Sequence, residues 1–257
     1  MKRLAMRFKA VWLLAFLFLV PALSFAGGST CLAATGLMPD GRILDLDYIQ
    51  PGATVWYSFG ASSGHSYSVE ARDDLDGNPN TDLSITFYSG ACATQMTGAS
   101  GPPYSANQYR DTSNPNNETI AIKVVNNSTT IGHYLSASVS ETTMFSTAWL
   151  ATGNYNTYYA WVNTTSFAIN GTLNFWDTLN GGSLAPPSPI ALPLPPRGTS
   201  NNTSSSSLNL PRSYGAMFFT HDGPPGAIVA TAMAADFTVS PPATQEYKFG
   251  PVREAAH

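Results

Sequence analysis

The sequence predicts an all-β protein of two antiparallel β-sandwich domains, the first jelly-roll-like and the second immunoglobulin-like, behind a cleaved signal peptide. Three observations carry this. Short runs of alternating, β-branched and aromatic residues recur along the chain, bounded by Gly, Asn, Asp or Pro clusters. Long amphipathic helix patterns are missing. Charged residues make up only 11% of the 257, while Ser, Thr, Asn and Gly are abundant, as suits an exported β-protein with a neutral polar surface.

Residues 1–26 carry the targeting signal. Lys2, Arg3, Arg7 and Lys9 form a basic start, and Val11 to Val20 an apolar run that Pro21 breaks. Ser24-Phe25-Ala26 puts small residues at the two positions a signal peptidase reads. The segment is too short for a stable membrane anchor. It predicts a secreted protein, whether periplasmic, extracellular or bound at the cell surface. No later apolar run reaches the ~20 residues that a spanning helix needs. Cys31 does not read as a lipid attachment site, because Gly28-Ser29-Thr30 lacks the Leu of a lipobox.

Removing 26 of the 257 residues leaves 231, enough for one large or two ordinary domains. All four basic residues of the signal leave with it. The remainder holds 8 Lys+Arg against 16 Asp+Glu, a net charge of −8. An acidic chain without a basic cluster has little means of neutralising phosphates, which argues against nucleic acid as a partner. Cys31 and Cys92 are the only cysteines. In an oxidising compartment such a pair reads as a disulfide, with two free buried thiols as the alternative. A structural zinc site would need more ligands than these two supply.

The first domain is assigned to residues 30–141. Its strands are Thr54 to Phe59, Ser66 to Ala71, Leu83 to Tyr88, Thr119 to Val125 and Tyr134 to Val139, with turn signals at Pro51-Gly52 and Ser62-Ser63-Gly64. The second domain is assigned to 142–240, with strands at Met144 to Leu150, Tyr155 to Asn163, Ala168 to Trp176, Tyr214 to Thr220 and Ala227 to Ala235. Residues 183–212 read as a Pro/Ser-rich loop. Within it, Ala191 to Pro196 is either an edge strand or polyproline II, and Ser204 to Ser207 a mobile loop. Residues 241–257 read as a C-terminal tail.

The stretch Leu46 to Val139 resembles the bacterial pre-peptidase C-terminal domain. Pro51-Gly52-Ala53-Thr54-Val55-Trp56-Tyr57-Ser58-Phe59 carries the resemblance. Gly64-His65-Ser66-Tyr67-Ser68-Val69, Asp82-Leu83-Ser84-Ile85-Thr86-Phe87-Tyr88 and Gly132-His133-Tyr134-Leu135-Ser136-Ala137-Ser138-Val139 extend it. The resemblance implies an accessory sandwich, used in binding, folding or export, and no catalysis. No protease domain accompanies it here. The second half resembles a generic immunoglobulin or fibronectin-type sandwich.

Asp73 to Asp82 is the densest polar constellation. Asp74, Asp76, Asn78, Asn80 and Asp82 sit at alternating positions, and Gly77 permits a sharp bend. Hard cations take six to eight such oxygens, so Ca²⁺ is the candidate cofactor. Pro79 and the missing EF-hand glutamate weaken the match, and a solvated acidic loop is the alternative. His65 and His133 read as surface positions. His221-Asp222 resembles a triad fragment but supplies no oriented base by itself. Tyr155, Tyr159 and Trp161 form the candidate aromatic patch for a ligand, against a core reading of the same residues. Seven Asn-x-Ser/Thr sequons occur, at Asn117, Asn126, Asn127, Asn163, Asn170, Asn201 and Asn202; composition alone accounts for them.

The expected function is non-enzymatic binding or adhesion to an extracellular protein or glycan. A stand-alone carbohydrate-binding module is the alternative, and a hydrolase with an unusual site is third.

Overall fold

The computed structural model describes residues 27–73, 82–89, 91–96, 105–110 and 117–251. The described residues are all-β apart from a 3-10 turn at Cys31–Ala33. The first half contains β1 (Thr35–Gly36), β2 (Asp40–Ile49), β3 (Thr54–Ala61), β4 (Ser66–Arg72), β5 (Leu83–Ser89), β6 (Thr94–Met96), β7 (Ser105–Arg110), β8 (Glu118–Asn126) and β9 (His133–Glu141).

These strands form two sheets, in the orders β1-β3-β8-β5-β6 and β2-β9-β4-β7. The antiparallel pairs β2–β9, β3–β8, β4–β7 and β5–β6 are nested inside one another. Such nesting describes one long hairpin rolled into two sheets, which is a jelly roll. Alternation sends Val55, Tyr57 and Phe59 of β3 inward, with Ile120, Ile122 and Val124 of β8 and Leu83, Ile85 and Phe87 of β5. Tyr67, Val69, Leu135 and Val139 face them from the other sheet. Each large apolar side chain buried here contributes about 1.5–3 kcal/mol.

The second half contains β10 (Met144–Leu150), β11 (Asn156–Asn163), β12 (Ile169–Asp177), β13 (Ser183–Leu184), β14 (Ile190–Leu194), β15 (Thr199–Thr203), β16 (Tyr214–His221), β17 (Ile228–Asp236) and β18 (Ala243–Pro251). It has its own core, built on Trp149, Trp161, Leu173, Phe175, Met217 and Phe219. One run of strands is β14-β12-β16-β10 and the other β15-β11-β17. If β10, β11, β12, β14, β15, β16 and β17 are strands A to G, the B–E and C–F pairs of an immunoglobulin sandwich are present. Strands A and G have exchanged places, so that A lies beside F and G beside B. A further strand, β18, pairs with β17 through Ala243 to Lys248 and with β10 through Phe249 to Pro251.

Three sequence assignments need correction. Residues 243–251 are this pairing strand, with Tyr247 buried in the core, and not a tail. Residues 183–212 hold three strands. Ala191 to Leu194 belongs to an edge strand beside β12, with Leu192 and Leu194 inward and the prolines outward. Ser204 is buried; its Oγ donates to the Leu150 carbonyl and accepts from the Thr157 N–H, at 3.0 Å each, so the serine run starts on an anchored turn.

The two halves join through Ser66, which is fully buried. Its N–H donates to Thr143 Oγ1 at 2.8 Å, and its Oγ accepts from Thr142 Oγ1 at 2.9 Å. The His221 N–H, on the second sandwich, also donates to this Oγ at 3.3 Å. Beside it, His65 Nδ1 lies 2.5 Å from Glu141 Oε1, and the His65 ring packs on Phe218.

Asp177, at the end of β12, ties the following turn to the segment before β16. It accepts from the Asn180 N–H at 3.0 Å, from Asn180 Nδ2 at 2.6 Å and from the Ser213 hydroxyl. Burial would raise its pKa, but these hydrogen bonds outweigh burial and hold it below the ordinary value. Asp236 is lowered too, mainly through the hydroxyl and N–H of Thr238. A depressed folded value means stability that is full above the unfolded aspartate value of 3.8 and lost as pH falls through the lower folded values. Acid unfolding followed by circular dichroism should therefore show a loss beginning near pH 4. The Asp177→Asn variant, less stable at neutral pH, should lose less between pH 5 and pH 2. A parallel loss in variant and wild type would remove Asp177 as a contributor.

Candidate functional site

The sequence-predicted sites separate in space. Cys31 and Cys92 are joined as a disulfide. Asp74, Asp76, Asn78 and Asn80 lie outside the described residues. Asp82 lies 3.4 Å from Nε2 of His133, and Asp73 lies 3.9 Å from Nδ1 of the same ring. His133 is thus not the surface residue the sequence suggests: it is only 2% exposed, held between two carboxylates at the start of β9. Among the described residues no group of three or more His, Cys, Asp or Glu is placed to hold a metal ion.

The His221-Asp222 pair is not an acid–base couple. Nδ1 of His221 accepts from the Gly223 N–H at 3.0 Å. Asp222 turns to Asn170, accepting from its N–H at 2.6 Å and from its Nδ2 at 2.9 Å. Each side chain serves the local turn.

The aromatic patch divides between core and surface. Tyr159 and Trp161 are 2% and 0% exposed, stacked on one another inside the second core, whereas Tyr155 is 37% exposed. Burial raises the Tyr159 hydroxyl far above its ordinary value and makes it a poor contributor to any solvent-facing site. Strand parity explains the division: residues 157, 159, 161 and 163 of β11 point inward, while Asn156, Tyr158, Ala160 and Val162 point outward.

That outward face, not the buried one, forms a groove of about 650 Å³ across four strands. Register fixes its floor in rows. The central row is Thr203, Tyr158, Met233 and Glu246, one residue from each of β15, β11, β17 and β18. The next row is Asn201, Ala160, Thr231 and Lys248. Ala160 and Thr231 are short, so the surface dips beside the Tyr158 ring. Phe237, 58% exposed just beyond β17, packs nearly perpendicular to Tyr158 with the ring centroids 5.6 Å apart. Glu246 is the one carboxylate among the lining residues, and Lys248 ends the next row beside it. The lining therefore offers one braced aromatic ring, a thioether, several hydroxyls and amides, and one carboxylate, all on paired strands.

The groove was not predicted from sequence, although Tyr158 adjoins a predicted residue. The signal lay in parity: once Tyr159 and Trp161 are core, Tyr158 and Ala160 must face out. The contributions of β15 and β18 were invisible because neither strand was anticipated.

No family model matches this sequence, and no curated protein matches it either. No helix among the described residues is long and apolar enough to cross a membrane.

Proposed function

We propose that this chain is a secreted, non-enzymatic binding protein that uses the groove on the second sandwich to hold an extracellular partner. The observation that carries the reading is the floor of the groove: built on four paired strands, with its two charges, Glu246 and Lys248, both on β18, and lined otherwise by ring, thioether, hydroxyl and amide groups. Acid–base catalysis calls for paired titratable groups with separate roles. The signal-like segment and the disulfide support export. The first sandwich, with its likeness to pre-peptidase C-terminal domains, acts as the accessory unit, and its acidic loop is the place for Ca²⁺. The rigid floor suits binding because little side-chain and loop entropy is lost when a ligand docks.

The test is retention. The mature chain, immobilised, should hold a defined component of its own culture medium or cell surface, and Ala160→Trp, which fills the dip, should release it while the fold persists by circular dichroism. Equal retention by Ala160→Trp would move the site elsewhere. No retained component, with or without calcium, would end the reading.

A further inference from the structure

We infer that the groove takes an uncharged oligosaccharide, with Tyr158 as the stacking platform; this rests on the binding reading above. A sugar ring has an apolar C–H face and a rim of hydroxyls. The groove has the matching parts in adjoining rows. Tyr158 is held in orientation by Phe237, so a ring face laid on it loses little freedom. Asn201 lies one row away, and Glu246 ends the row that contains Tyr158. An amide offers a donor and an acceptor to neighbouring hydroxyls, and a carboxylate accepts from two.

Charge narrows the class. Lys248, which ends the second row, has Glu246 two residues away on the same strand, and the acidic chain around them repels polyanions, so sulfated, uronate or phosphate-bearing chains are disfavoured. Size narrows it further. At about 650 Å³ the groove falls within the roughly 300–1,000 Å³ of small-ligand sites, which fits a short stretch of sugar rings and not a protein surface. A peptide strand is the weaker fit. It would add to the open edge of β15 through backbone hydrogen bonds, whereas the groove crosses four strands and presents side chains.

The experiment is calorimetric titration of the mature chain with uncharged cello-, xylo-, manno- and chito-oligosaccharides, an oligogalacturonate and an extended peptide of neutral composition. At least one uncharged oligosaccharide should bind. Tyr158→Ala should weaken it about tenfold, the scale of one lost stacking contact with its hydrogen-bond alignment. Asn201→Ala, on an exposed strand position, should weaken it without any change in fold. Trp56→Ala, on the other sandwich, should leave it unchanged. Binding of the charged sugar or the peptide alone would overturn the oligosaccharide assignment while sparing the binding reading. Oligosaccharide binding unmoved by both Tyr158→Ala and Asn201→Ala would overturn the placement. If no uncharged oligosaccharide binds, the assignment fails; the binding reading fails with it only if the retention experiment is also empty.

Discussion

Asn163→Asp should destabilise the second sandwich by about 4 kcal/mol or more, since several buried groups each lose a partner worth about 1–3 kcal/mol. Asn163 ends β11 with its side chain fully buried. Its Nδ2 donates to the carbonyls of Phe167, Leu194 and Pro195 at 2.8, 3.2 and 3.0 Å. Its Oδ1 accepts from the N–H and hydroxyl of Thr165 at 2.9 and 2.8 Å. An ionised aspartate keeps the second set and turns an acceptor toward three carbonyls, adding a buried charge to lost hydrogen bonds. Asn126 does the same work in the first sandwich. Its Nδ2 reaches the carbonyls of Ile49, Gln50 and Ile131, and its Oδ1 takes the Ser128 N–H at 2.9 Å. Asn126→Asp should therefore match Asn163→Asp. Asn127→Asp, one position on and exposed, should cost under about 1 kcal/mol. Urea unfolding of the three variants decides the matter; equal effects at 126 and 127 would refute the corner's role.

Loss of the disulfide, in a Cys31→Ser, Cys92→Ser double variant, should cost roughly 4 kcal/mol in the chain-entropy account for a separation of 61 residues. The bond ties the short turn before β1 to the turn between β5 and β6, so the loss belongs to the first sandwich. Denaturation of the variant should then separate into two steps, with Trp56 reporting the early one and Trp149 and Trp161 the late one. A single transition at the wild-type midpoint would contradict this.

Ten of the strands were legible in the sequence because their patterns are clean: β3, β11 and β12 alternate without interruption. β2 was not. Its register shifts twice against β9, between Asp40 and Ile43 and between Leu44 and Asp47, and a bulge destroys the period of two that a reader depends on. β15 reads Thr-Ser-Asn-Asn-Thr, which names a loop by composition; it is a strand because β11 supplies a partner for every residue. β18 carries Tyr247 and Phe249 amid polar residues, too sparse a signal until β17 and β10 are placed beside it. The candidate site failed for one reason. The richest aromatic cluster, Tyr159 with Trp161, marks the core because such rings stabilise most when buried. Among the sequons, Asn126 and Asn163 are corner residues whose spacing to Ser128 and Thr165 serves a turn.

β18 also sets the order in which the molecule can be finished. A ribosome releases the amino-terminal half first, and the jelly roll has all its strands once β9 has emerged. The second sandwich must wait for β18, since β17 and β10 depend on it from either side. Until those residues leave the tunnel, its apolar interior lacks Tyr247 and both sheets have an open flank. Stalling or nicking within 237–243 would thus yield a half-finished molecule: one sandwich sound, the other adhesive and exposed to chaperones and proteases.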